Sequence, residues 1–262
     1  MKKFNKPQNL NKNFENLIKS IFFTLIFSWI FFNYIYKIEI YSDFFAIALA
    51  LFSLFGAIFS FNRAKEWGFH KSYIGLSLLF ISLGLLMWFF GQTFYFLDSK
   101  IESKLEIYEF FFIFIDPFYL LGLYYIARSI GTFNYLKSNF SLVLLPILVF
   151  IINFLIVSYA NRGDFLEIFY NLNIEDVYIF GSIVLATFVI SILLFSRKLG
   201  GIYKRALYIL FFGILFQYFG DNLYAYFELQ NLNGSLADLL FFISISLVTY
   251  GVQKLDPIKL NE

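Results

Sequence analysis

Two carboxylates stand where carboxylates are costly. Asp221 sits inside the apolar stretch from Phe212 to Glu228, and Asp116 inside another from Tyr108 to Ala127. In hydrocarbon an ionisable side chain must be paired, protonated or water-exposed, so a residue of this kind marks a functional site by default. Gln217, Asp221, Tyr224 and Glu228 follow one another at spacings of four, three and four, which places them on one face of a helix. That face is expected to point into a bundle. An earlier stretch carries Trp88, Gln92, Tyr95 and Ser99 in the same frame, with a neutral amide where the later one has its carboxylate. Glu109 and Asp116, seven apart, share a face as well, and Pro117 loosens the backbone hydrogen bonding around Asp116.

These positions predict a polar cavity in the outer half of a helical bundle, lined by Asp221, Asp116, Gln92, Tyr95 and Tyr224. Asn222, Gln217 and Trp88 complete the set of ligand-binding candidates. Such a group can hold a proton or cation, hydrogen-bond a polar ligand, or divide acid and base roles around a water. No residue is assigned a catalytic role, and no metal ligand set or cofactor is expected. Structural readings stand beside the functional ones. Bonds from Asp221 and Asp116 to Asn222, Gln92 or a tyrosine can serve packing alone. Ser235-x-x-Asp238 and Ser103-x-x-Glu106 have the form of capping boxes that satisfy helix N-termini. Trp88 and the tyrosines suit interfacial belts, and His70 is a loop residue.

The elements that must position these residues are membrane spans. Hydrophobic residues make up 60% of the 262-residue chain and charged ones 15%, against about half and about a quarter in soluble domains. Apolar runs of spanning length lie at 20–36, 44–61, 72–94, 108–127, 140–159, 177–195, 206–226 and 236–252. The fold class expected is therefore all-α: a polytopic membrane protein of eight transmembrane helices. A polar tail, 1–19, precedes a first four-helix half, 20–127. A linker, 128–139, leads to a second half, 140–252, and a tail, 253–262. The first run lacks a small-residue cleavage site, so it is read as a span and not a removed leader.

Charge sets the orientation. Sixteen of the 20 Lys and Arg fall on the face shared by both termini, leaving Lys37, Lys100, Lys104 and Arg162 opposite. Lys and Arg in excess mark cytoplasmic loops, so both termini are expected in the cytoplasm and the protein in the cytoplasmic (plasma) membrane. The opposite face is acidic, with Glu39, Asp43, Asp98, Glu102, Glu106, Asp164, Glu167, Glu175 and Asp176.

An internal duplication runs through this topology. Adding 129 converts Gly84 to Gly213, Leu86 to Leu215, Phe90 to Phe219, Gly91 to Gly220, Tyr95 to Tyr224, Phe112 to Phe241 and Gly122 to Gly251 without a gap. Gln92 falls on Asp221 and Glu109 on Asp238. Helices 3 and 4 thus match helices 7 and 8, and the even number between them makes the repeat parallel, its pseudo-axis along the membrane normal. Helices 1 and 2 show no convincing match to 5 and 6.

Several function classes are excluded. One histidine and no cysteine rule out a bis-histidine haem and the three-histidine zinc site of ceramidase-like or progestin-receptor-like hydrolases. Lys204 lies at the edge of helix 7, which speaks against a retinal Schiff base. No Gly-x-Ser-x-Gly elbow, Walker loop or dinucleotide fingerprint is present, and nucleic acid is not an expected partner.

The segment Gly220-Asp-Asn-Leu-Tyr-Ala-Tyr-Phe-Glu-Leu229, with Gly234-Ser-Leu-Ala-Asp-Leu-Leu240, resembles the multi-helix membrane sensor regions found before diguanylate cyclase, phosphodiesterase or histidine kinase domains. Trp88-Phe-Phe-Gly-Gln-Thr-Phe-Tyr95, Tyr108-Glu-Phe-Phe111 and Asp116-Pro-Phe-Tyr-Leu-Leu-Gly122 look like the corresponding first copy. The resemblance covers roughly half the chain and implies a sensor-like or ligand-binding module without an output domain. Its expected partners are membrane lipids, a small-molecule or lipid ligand, and a cytoplasmic or membrane signalling protein. Two alternatives remain open. One is an intramembrane lipid hydrolase similar to the lysoplasmalogenases, although Gln92 stands where a second Gly-Asp is expected. The other is a small carrier with a proton- or cation-linked Asp221.

Overall fold

A computed structural model describes residues 8–31, 41–101, 107–138, 143–162, 174–195, 203–229 and 235–257. All elements among these are helical, in the order α1 (Gln8–Ile30), α2 (Tyr41–Glu66), α3 (Tyr73–Ile101), α4 (Ile107–Ser129), α5 (Thr132–Ser138), α6 (Leu144–Arg162), α7 (Ile174–Phe195), α8 (Lys204–Leu229) and α9 (Ser235–Lys254). Five helices are long and apolar enough to cross a membrane: Phe44–Glu66, Tyr73–Asp98, Ile107–Ser129, Lys204–Phe227 and Leu236–Lys254. Shorter apolar helices run over Asn16–Ile30, Leu144–Ser158 and Ile179–Phe195. The Ser103–Glu106 box and the charges at Lys37, Glu39, Lys104, Asp164, Arg197, Lys198 and Lys259 lie outside the described residues, as does the side chain of Glu228.

Six helices close a ring. α2 packs on α3, α3 on α4, α4 on α7, α7 on α8, α8 on α9, and α9 returns to α2. α1 lies outside the ring against α9, α6 lies against α7 and α8, and the short α5 touches α4 and α7. Lipid gives apolar helices little reason to associate by hydrophobicity alone, so close packing at small residues holds such a bundle. Glycines provide it. Gly91 packs its backbone against the Phe112 ring, and a Cβ at Gly220 would come within 2.6 Å of Phe241. Gly84 abuts Tyr119, and a Cβ at Gly213 would lie 2.8 Å from Val248. At Gly122 and Gly251 the neighbours are Ile81, at 3.0 Å, and Leu210, at 2.8 Å.

Both chain ends differ from the sequence expectation. The first helix begins at Gln8, so much of the stretch read as a polar tail is helical, and Ile18 within it is buried. At the other end Leu255 and Asp256 follow α9 and are buried. Arg63, itself buried, reaches Asp256 Oδ2 and the Gln253 carbonyl at 3.3 Å and pairs with Glu66. Trp67 Nε1 donates to the Leu255 carbonyl at 2.9 Å, and the Tyr203 hydroxyl to the Asp256 carbonyl at 3.3 Å. The C-terminal end of α9 is thus clamped between the end of α2 and the start of α8.

Candidate functional site

The polar centre of the ring is assembled by α3, α4, α7 and α8. Each contributes short or neutral polar groups that an apolar helix can carry only when they are hydrogen-bonded. Trp88 Nε1 on α3 donates to Gln217 Oε1 on α8 at 3.5 Å, and Gln217 Nε2 donates to Asp116 Oδ1 on α4 at 3.2 Å. One amide therefore links an indole and a carboxylate across three helices. Trp88 is fixed on its other sides by edge-to-face contacts with Phe112, centroid to centroid 5.6 Å, and Phe241, 5.0 Å. The second Asp116 oxygen faces Gly181 on α7, where a Cβ would stand 2.7 Å from Oδ2 and push the carboxyl aside.

Asp221 lies one turn beyond Gln217 on α8 and is half-buried. Tyr119, one turn beyond Asp116, is wholly buried, its ring against Gly84 of α3. Its hydroxyl has no hydrogen-bond partner among the described residues. Asn222 Nδ2 donates to the Tyr218 carbonyl at 2.7 Å and to Ser182 Oγ on α7 at 3.4 Å, while its Oδ1 is buried without a partner. Tyr218 in turn donates to Asn153 Oδ1 on α6 at 3.4 Å.

The eight sequence candidates therefore separate into two groups. Trp88, Gln217 and Asp116 are buried and joined directly, Asp221 and Asn222 flank them, and Gln92 is buried one turn beyond Trp88. Tyr95 and Tyr224 are not part of this centre. Each is 42% exposed, and Tyr95 packs edge-to-face on Tyr108 at 5.4 Å. Both share a helical-wheel face with the buried residue seven positions earlier, yet the rise over seven residues is about 10.5 Å, enough to carry them past their packing neighbours. Asp238 sits in the first turn of α9, where the positive end of the helix dipole favours a carboxylate.

Three participants had no sequence signal of their own. Tyr119 is one aromatic among many in α4, Gly181 is a lone glycine in an apolar run, and Ser182 looks like any small residue that lets helices approach. Among the described residues, no group of three or more His, Asp or Glu could hold a metal ion.

A polar centre set into a ring of apolar helices defines the class: an all-helical chain, among whose described residues five helices are long and apolar enough to cross a membrane, with two aspartates inside two of those helices. The chain matches no protein-family model, and no curated protein or solved structure is similar to it.

Proposed function

We propose that the chain is an eight-span protein of the cytoplasmic membrane, both termini cytoplasmic, built from two parallel halves. In this reading the halves enclose a ligand-binding site at Asp116, Gln217 and Asp221. The shorter apolar helices α1, α6 and α7 supply the remaining three spans. The repeat is supported by contacts that convert into one another when 129 is added. Gly91 against Phe112 becomes Gly220 against Phe241. Gly84 against Tyr119 becomes Gly213 against Val248, and Gly122 against Ile81 becomes Gly251 against Leu210. The ring follows the same rule, since α2 packs on α3 and α9 where α7 packs on α8 and α4.

The observation that carries the functional reading is the path from Trp88 through Gln217 to Asp116. The indole and carboxylate belong to one half and the amide to the other, so whatever binds the carboxyls alters the contact between halves. A binding event that changes how two halves pack is what a sensor-like module passes on to a signalling partner. The two acids differ in their surroundings, one bonded and buried, the other half-buried, which suits a polar small molecule or lipid headgroup held from one side.

The test is native mass spectrometry, with lipid analysis, of the purified protein beside Asp221→Asn. A defined molecule that accompanies the wild type and is missing from the variant is the expected result. A cleaved lipid formed by the wild type alone would move the protein to the hydrolase class, and bare protein in both samples would overturn the binding reading.

A further inference from the structure

Two lysines from different helices meet over one aromatic ring at one end of the bundle. Lys19 of α1 places its Nζ 5.7 Å from the centroid of the Tyr250 ring on α9. Lys254, in the last turn of α9, places its own 5.1 Å from the same centroid. Among the described residues the other lysines over rings stand singly and within one helix, Lys65 over Phe61 of α2 at 4.7 Å and Lys204 over Tyr208 of α8 at 5.7 Å. The electron-rich face of a ring attracts a cation but does not neutralise two, and positive charges gathered at one place raise the local concentration of anions. Lys19 is exposed, and Tyr250 and Lys254 are half-buried. Both lysines lie at the ends of apolar stretches, Asn16–Ile30 and Leu236–Lys254, where a long stem follows apolar surface and carries its ammonium to the interface.

The same helix offers an apolar surface beyond Lys19. Ile18 and Trp29 are buried against the bundle, whereas Phe23, Phe27 and Ile30 are exposed, Phe27 to 72%. An open apolar groove runs along Phe23, Ile26, Phe27, Ile30 and Phe31. From Lys19 to Ile30 the helical rise is about 16 Å, close to half the thickness of the hydrocarbon core, about 15 Å. A paired cationic end and an apolar groove one leaflet long match an amphiphile with an anionic head.

We propose that Lys19 and Lys254, with the Tyr250 ring between α1 and α9, bind the phosphate of an anionic phospholipid whose acyl chain lies along the outer face of α1. The site is separate from the acidic centre and rests on the reading above only for α1 and α9 as membrane spans. A phosphodiester presents two charged oxygens, one for each ammonium donor. A zwitterionic lipid brings a cation of its own to a place that already holds two, and free phosphate leaves the groove bare. α1 lies outside the ring against α9, so a lipid held by one lysine from each helix fastens α1 to the bundle.

The experiment is native mass spectrometry of the full chain released from nanodiscs of equal parts phosphatidylcholine and phosphatidylglycerol. The wild type, which needs no substitution, is expected to retain phosphatidylglycerol in excess. Lys19→Gln and Lys254→Gln should each lower that preference by up to about fivefold, the effect of one lysine at an anionic surface, and the double variant should retain the two lipids alike. Lys65→Gln and Lys204→Gln each take a lysine from a ring that holds one cation and should leave the preference unchanged. Asp221→Asn should also leave it unchanged, so this site and the acidic one fail separately. Equal retention of both lipids by the wild type overturns the proposal, and so does a loss in Lys65→Gln as large as in Lys19→Gln, which would reduce the effect to general surface charge. Inorganic phosphate bound in phosphatidylcholine alone, without preference for phosphatidylglycerol, would make this a free-phosphate site and overturn the lipid assignment.

Discussion

Trp88 and Gln217 are 129 positions apart, the period of the proposed repeat, and they meet through a 3.5 Å hydrogen bond. Residues related by a two-fold operation can touch each other only beside the axis, so this contact locates the axis that the proposed duplication requires. Phe112 and Phe241, also 129 apart, flank the same indole. The expected consequence is energetic coupling. In a cycle of Trp88→Phe, Gln217→Leu and the double variant, unfolding in bicelles should give a coupling of about 0.5–1.5 kcal/mol, the net worth of one such bond. Additive effects would separate the pair and remove the axis from this position.

Glycines at the helix contacts should differ in cost according to what they meet. A Cβ at Gly251 would lie 2.8 Å from the Leu210 backbone nitrogen, and one at Gly213 2.8 Å from that of Val248. Backbone cannot step aside, so Gly251→Ala and Gly213→Ala should each destabilise by about 1–3 kcal/mol, the usual range for overpacking. Gly220→Ala meets only the edge of the Phe241 ring and should cost less. Thermal unfolding of the three variants gives the ranking, and a Gly220 variant worse than the other two would contradict this packing.

The clamp on the end of α9 makes a prediction of its own. Arg63→Ala leaves the buried Asp256 without its cation and should cost about 3–5 kcal/mol, as removal of one partner from a buried pair does. Asp256→Asn should cost less, because Glu66 and the Gln253 carbonyl still hold the guanidinium. Equal losses would mean that Arg63 serves Asp256 alone.

Tyr203 belongs to the same clamp, and burial, with Asp256 beside it, raises its phenol above the ordinary value. An acid raised in the fold stays neutral where the unfolded chain has begun to ionise. Its stabilisation is therefore whole below the unfolded value of about 10 and is lost as pH climbs through the higher folded value. The stability difference between wild type and Tyr203→Phe should stay constant through neutral pH and narrow only in that alkaline window. A change near neutrality would contradict it.

What could be read from the sequence was what depends on local composition. Long apolar runs gave α2, α3, α4, α8 and α9, because a span must satisfy its backbone within itself. Asp116 and Asp221 stood out because a carboxylate in such a run is rare. What could not be read depends on distant partners. Arg63 looked like one more loop charge, yet its place is fixed by residues 190 and 193 positions away. Tyr119 became visible only once α3 was packed on α4, with Gly84 against its ring. Tyr95 and Tyr224 show the limit of the helical wheel, which reports direction but not depth along the axis.

The relation between the two halves depends on direction through the membrane, and site-directed labelling reads direction most directly. The chain has no cysteine, so single cysteines can be placed on an unaltered background at Lys65, Lys137, Lys254 and Asp98. With a membrane-impermeant maleimide applied to intact cells, the account predicts labelling at Asp98→Cys alone, with the three lysine positions reacting only after the membrane is opened. Labelling of Lys137→Cys or Lys254→Cys from outside would place the halves in opposite orientations, and the parallel repeat around Asp116 and Asp221 would be wrong.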